Sequence, residues 1–219
     1  MLIGTVASIR RYPVKSLRGE LLDAVEVTTA GVPGDRARRL VVAGEHPRAG
    51  LAFRGKEHDR LHLVDTTAEA IVLARERGVE TYDESGDHFF DAAPISLLVD
   101  RWLDGLSAHV GYAVQPERFR SNFTIAADPT FTLLETELVG AELEIGSVRM
   151  RVREPIERCV TTTYHPNGRA TDPRILSYIA RERDNRMGIY CEVLREGIVQ
   201  AGDAVACWTS RTISSSASI

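Results

Sequence analysis

The chain has 219 residues, 43% hydrophobic and 26% charged, an ordinary globular mix that excludes disorder, a collagen repeat and a disulfide-stapled miniprotein. Lys and Arg number 27 against 31 Asp and Glu, a formal charge of −4, so no basic field points to nucleic acid or to an anionic membrane. A chain of this length makes one large domain or two small fused ones and buries about 70% of its unfolded surface.

The opening residues, Met1 to Val6, show no basic stretch leading into a long apolar run, and Arg10 and Arg11 interrupt them. Neither a signal peptide nor a membrane span is read there, and a cytoplasmic location is expected. The first strand runs from Leu2 to Tyr12 and ends at Pro13. A second covers Leu22–Val27, closed by the turn Gly31-Val32-Pro33-Gly34, and a third covers Arg38–Val42. Thr66 and Glu69 have capping-box spacing and Gly78 is a stop, which predicts a helix over Thr67–Arg77. Val79–Tyr82 and His88–Asp91 flank Asp83-Glu84-Ser85-Gly86 as a hairpin would. Pro94 opens a second predicted helix to Leu103. Ala141–Ile145 and Val148–Arg153 alternate around Gly146-Ser147, a two-residue hairpin with one apolar and one charged face. Pro173–Asp184 reads as a helix and Gly188–Leu194 as a strand. Arg195-Glu196-Gly197 is a turn, and Ile198–Val199 and Asp203–Trp208 finish the sheet. The Ser-rich tail, 209–219, is expected to fray. Many short strands with few helices predict a β-rich mixed α/β, barrel-like architecture, and the long alternating helices of a doubly wound nucleotide fold are missing.

Four segments carry residues suited to chemistry. Lys15 and Ser16 follow Pro13, where the chain leaves its first strand, and together offer a point charge and a directional donor to an anionic oxygen. Arg36, in Gly34-Asp35-Arg36, either forks onto a phosphate or carboxylate or pairs with Asp35. On an extended chain Arg118, Arg120 and Asn122 share one face opposite Phe119 and Phe123, as an anion-binding strip or as the polar side of an edge strand. In Glu157-Arg158-Cys159-Val160-Thr161-Thr162-Thr163 a cysteine ends a strand beside a cation and hydroxyls, a setting that favours the thiolate able to attack a substrate or bind a soft metal. Cys191 and Cys207 sit in apolar strands and read as buried and inert. Three cysteines with no C-x-x-C spacing fit a reducing compartment. The six histidines, including His62 and His165, make no metal-site spacing and read as surface or hydrogen-bonding residues.

In their order these segments resemble the MOSC family, the molybdenum-cofactor sulfurase C-terminal domain, with the pattern of the amidoxime-reducing proteins and their bacterial relatives. The resemblance rests on Tyr12-Pro13-Val14-Lys15-Ser16, Gly34-Asp35-Arg36, Phe89 with Asp91-Ala92-Ala93-Pro94, Phe119-Arg120-Ser121-Asn122, Arg158 to Thr163, and Gly197 to Val205. It implies a MOSC N-terminal β-barrel-like region over 1–88, a MOSC domain over 89–208 and a tail over 209–219. It further implies a molybdenum cofactor (molybdopterin) in a cationic groove. Lys15, Ser16, Arg36, Arg120, Asn122 and Arg158 would hold that cofactor, and Cys159 would ligate molybdenum as the catalytic residue. The implied activity is an oxidoreductase that removes oxygen from N-hydroxylated small molecules. Nothing after Trp208 resembles an iron–sulfur domain, so electrons would come from a separate ferredoxin- or cytochrome-type protein with its reductase. Two alternatives stay open: a sulfur or cofactor carrier with a persulfide on Cys159, and a MOSC-like protein that uses the groove, without molybdenum, for another ligand. The sequence departs from the family pattern at Ser121, where a proline is usual, at Tyr164-His165, and between Arg36 and Leu61, where Arg54-Gly55-Lys56 lies.

Overall fold

The computed structural model describes residues 1–86 and 88–208; the tail expected at 209–219 lies outside the described residues. In chain order the elements begin with β1 (Leu2–Arg11), β2 (Glu20–Leu22), β3 (Ala24–Val27), β4 (Arg38–Val42), α1 (Thr67–Glu76), β5 (Thr81–Ser85), β6 (Ile95–Val99) and α2 (Asp104–Val110). They continue with β7 (Phe123–Ala127), β8 (Glu142–Ile145), β9 (Val148–Glu157), α3 (Pro173–Glu182), β10 (Arg186–Arg195), β11 (Gly197–Gln200) and β12 (Ala204–Trp208).

Seven strands close a ring in the order β1-β12-β8-β9-β10-β6-β7 and back to β1, every pair antiparallel except β6–β7. Closure removes the free sheet edges that would otherwise seek partners. The fold is thus the β-rich barrel the sequence predicts, with three short α-helices among the described residues. Alternation supplies the inner face: Val148, Met150 and Val152 of β9 point into the core while Arg149, Arg151 and Arg153 stay outside. Phe123, Ile125, Leu97, Leu143 and Val205 fill the same core, and α3 adds Ile175 and Ile179. A smaller core of Val14, Leu17, Leu40, Phe53, Leu61 and Leu73 sits under the β4–β5 hairpin and α1. The Thr66–Glu69 capping box forms as predicted.

Four local expectations are corrected. The strand predicted over Leu22–Val27 is two strands that part at Asp23, β2 adding to β1 and β3 to β11. Asp83 and Glu84 lie inside β5, not in a loop, because Arg38 and Arg39 of β4 stand across from them and neutralise each carboxylate. Residues 88–91 form no strand. The helix predicted from Pro94 is instead β6, all five of its residues buried; an apolar run of this length reads alike in both periods, and the parallel partner β7 decides it. The true helix starts later, at Asp104. A further correction, over 117–123, bears on the cavity and is described below.

Phe123 has no exposed surface, so Phe123→Ala is expected to lower stability by about 3–5 kcal/mol, read from the urea midpoint. Leu21→Ala, at a residue 62% exposed, should stay within about 0.5 kcal/mol.

Candidate functional site

One end of β1, the turn after it, the 54–56 loop, the 117–122 segment and the end of β9 line a cavity of about 980 Å³. Lys15, Ser16, Arg36, Arg120, Asn122, Arg158 and Cys159, drawn from positions far apart in sequence, all line it. The residues between Glu117 and Phe123 are not an extended strip. Pro116–Phe119 form a 3-10 turn, Arg120 is left-handed, and the strand begins only at Phe123. The proline sets that turn, and the left-handed step at 120 returns the chain to the sheet. Arg118, Arg120 and Asn122 reach the cavity by this turn rather than by alternation.

Three of the six non-glycine residues with positive φ are Ser16, Arg36 and Arg120. Each carries a local conformational penalty of about 1 kcal/mol or more, which surrounding contacts must hold in place. Those contacts are visible. Tyr12 N–H donates to Asp35 Oδ1 at 2.7 Å, and Arg36 N–H donates to the Tyr12 carbonyl at 2.6 Å. Arg36 pairs with Asp35 and donates from Nη2 to the Arg120 carbonyl at 2.9 Å. The Arg36 and Arg120 guanidiniums lie 4.9 and 4.3 Å from the Tyr12 ring centroid, within cation–π range. Of the two readings for Arg36, the pair with Asp35 is the one that forms, and the side chain lines the cavity as well.

Arg158 donates from Nε to the Met187 carbonyl at 2.6 Å and from Nη1 to the Phe119 carbonyl at 3.0 Å. Gly188 leaves it room, since a Cβ there would fall 2.7 Å from Nη2. Asn122 is almost fully committed within the protein: Oδ1 accepts from Ser96 N–H and Oγ–H, and Nδ2 donates to the Arg10 carbonyl. Its visible work is to tie β6 to the end of β1. Lys15 Nζ lies 2.5 Å from Asp91 Oδ1, and Ser16 Oγ accepts from Gly55 N–H at 3.0 Å.

Charge sets the character of the cavity. Ten Arg or Lys side chains line it against four Asp or Glu, in a chain whose formal charge is −4. Arg36 is compensated: burial lowers its pKa, but Asp35 outweighs that and raises it. Arg120 and Arg158 have no ion-pair partner among the described residues; loss of water brings each down to about 10. Nη2 of Arg120, Nη2 of Arg158 and Oη of Tyr12 are shielded from water without a hydrogen-bond partner. Native structures rarely leave such groups unpaired without a reason.

Cys159 is exposed, while Cys191 and Cys207 are buried as predicted. Burial pushes the Cys191 thiol up to about 12, so it is inert. Cys159 Sγ lies 3.2 Å from Thr161 Oγ1. Among the described residues no three His, Cys, Asp or Glu side chains converge as a metal site. A metal at Cys159 would take its other ligands from a bound group.

Sequence reasoning singled out Tyr12 only as part of a motif and passed over His62 and Tyr190, which also line the cavity. His62 Nε2 donates to the His165 carbonyl at 2.9 Å, its ring stacks on Tyr164 at 5.5 Å, and Nδ1 is buried without a partner. No spacing signal marks His62, because its partners lie about a hundred residues away.

Residues 84–206 match the family model described as MOSC domain, and residues 3–91 match that of the MOSC N-terminal beta barrel domain. No curated protein matches the sequence. Among solved structures, the YuaD protein from Bacillus subtilis is similar with a TM-score of 0.56 at 18% identity, over 92% of this chain and 93% of that one. YiiM from Escherichia coli gives 0.44 at 16% identity, over 91% and 70%. The YuaD likeness speaks for the fold.

Burial, with the charge of Arg120 adding to it, holds the His62 pKa below its ordinary 6.5, against the pull of the His165 carbonyl. The fold thus favours neutral imidazole, and its contribution to stability is full above about pH 6.5 and lost as pH falls through the folded pKa. His62→Gln should flatten the acid-side fall in the urea midpoint; an unchanged slope would show that His62 does not cause it.

Proposed function

The chain belongs to the MOSC family, and from that premise we propose that it is a molybdenum-cofactor oxidoreductase that reduces N-hydroxylated small molecules with electrons from a separate donor protein. The observation that carries this reading is the pair of guanidiniums, Arg120 and Arg158, that share a cavity with the exposed thiol of Cys159 and lack carboxylate partners. Their donor set fits the group. A terminal phosphate suits planar guanidiniums that present paired N–H donors, and a soft metal suits a thiolate.

In this reading residues 1–88 contribute Lys15, Ser16 and Arg36, and residues 89–208 contribute Arg120, Asn122, Arg158 and Cys159. The bound cofactor supplies the two-electron redox chemistry at molybdenum. Arg36, Arg120 and Arg158 bind its negative charge, with Tyr12 stacked against the first two. Lys15 exchanges the exposed Asp91 carboxylate for the incoming anion. Asn122 fixes the backbone that presents Arg120. Cys159 is the protein's ligand, and the Thr161 hydroxyl orients its sulfur. Tyr164 and His62 form an uncharged wall of the same cavity, where the substrate loses water. Cleaving the N–O bond takes two electrons and two protons and releases the amine and water. The electron donor is a ferredoxin- or cytochrome-type protein, and the setting is the cytoplasm. Among the described residues no helix is long and apolar enough to cross a membrane.

A second reading draws on the exposure of Cys159: a persulfide there would make the protein a sulfur carrier.

Purified from a cofactor-competent host, the protein should retain molybdenum and pterin, measured by elemental analysis and by fluorescence of the oxidised pterin. Cys159→Ser should lower reduction of a hydroxylamine by more than about 100-fold, and Arg158→Gln should lower pterin content. Absence of molybdenum from the wild type, with pterin unchanged in Arg158→Gln, overturns the reading. A mass increase of about 32 Da on Cys159 without any reduction supports the carrier instead.

A further inference from the structure

Building on the cofactor reading above, we propose that the Arg54–Lys56 turn selects substrates that carry a carboxylate remote from the reacting N–O group. This turn lies where the sequence departs from the family pattern, and the fold sets it against the thiol's own neighbour. Gly55 N–H donates to Ser16 Oγ at 3.0 Å. A Cβ at position 55 would stand 3.0 Å from Thr161 Cγ2, so any other residue there would press on the Thr161 side chain by a few tenths of an ångström. Thr161 Oγ1 in turn lies 3.2 Å from Cys159 Sγ. One residue therefore separates the turn from the sulfur, and Arg54 and Lys56 line the cavity on either side of Gly55.

The charges at the turn are only partly used. Arg54 Nη2 lies 3.3 Å from Glu57 Oε1, a carboxylate that Arg48 also holds at 2.8 Å. Arg54 Nε is shielded from water and has no partner. Lys56 is exposed and makes no ion pair among the described residues. By contrast Arg10, Lys15 and Arg36 each face a carboxylate. Of the four acidic lining residues, Asp91 and Glu117 are taken by Lys15 and Arg10, and the others come from β9. A lysine and a half-satisfied guanidinium match one negative charge. A dianionic phosphate is better met by Arg36, Arg120 and Arg158. His62 and Tyr164 bring no negative charge to compete. The same field repels a cationic substrate, so the turn discriminates in both directions.

Three benzamidoximes that differ only at the para position, bearing carboxylate, methyl or aminomethyl, test the proposal on cofactor-loaded protein with reduced methyl viologen as electron source. Wild type should prefer the carboxylate over the methyl compound by about fivefold in kcat/KM and disfavour the aminomethyl compound. Lys56→Glu, at an exposed side chain, and Arg54→Gln with Lys56→Gln should abolish or invert that order. Equilibrium dialysis of the same compounds reads the preference without turnover. Equal kcat/KM for all three in wild type, or an order that survives in both variants, overturns the selector while leaving the reductase reading intact. A carboxylate preference in dialysis that vanishes in Lys56→Glu, with none of the three reduced, upholds the selector and sinks the reductase reading. No preference in either measurement sinks the selector outright.

Discussion

Arg120 and Arg158 sit half-buried beside one cavity, with no carboxylate of the described residues against either and with one N–H-bearing nitrogen of each shut off from water and unpartnered. A charge withdrawn from water destabilises the fold unless something of opposite sign approaches it. Elsewhere the chain obeys this rule closely. Arg36 has Asp35, Arg183 has Glu135, and the arginines of β4 have the acids of β5. The exceptions gather at the site, so the compensation is to come from outside the chain.

The backbone tells the same story by a separate route. Ser16, Arg36 and Arg120 all hold left-handed conformations that bulky residues avoid. Arg36 N–H bonds the Tyr12 carbonyl and its side chain bonds the Arg120 carbonyl, so Arg36 and Arg120 fix one another around the Tyr12 ring. The barrel supplies the rigidity for this. β1 pairs with β12, β7 and β2, and its end delivers Tyr12; β9 pairs along its length with β10, and its end delivers Arg158 and Cys159. Polar groups are displayed from the ends of strands whose middles lie in a packed apolar core.

Much of this was legible in the residues. Alternation marked β8 and β9, capping chemistry marked α1, and Pro173 marked α3. The ordered motifs held Tyr12, Lys15, Ser16, Arg36, Arg120, Asn122, Arg158 and Cys159, all of which line the cavity, and left out its Arg10, Arg118 and Arg186. What stayed hidden depended on long-range partners. β6 is a strand because β7 and β10 flank it, although its mostly apolar residues after a proline read equally as a helix. β5 accepts two acids because arginines of β4 some 45 residues earlier pair with them, Arg39 directly opposite Glu84 and Arg38 diagonally with Asp83. Arg118, Arg120 and Asn122 were grouped correctly for the wrong geometric reason, since a 3-10 turn rather than a strand presents them. His62 shows itself only once Tyr164 and the His165 carbonyl are folded onto it.

Uncompensated positive charge in this cavity awaits an anion. The most direct test is the unfolding temperature of protein made in a host unable to synthesise molybdopterin, followed as inorganic phosphate is added at constant ionic strength. The unfolding temperature should rise with phosphate concentration, stay unchanged with chloride, and lose its response to phosphate in Arg120→Gln. An unfolding temperature indifferent to phosphate, or the same rise in Arg120→Gln, would contradict it.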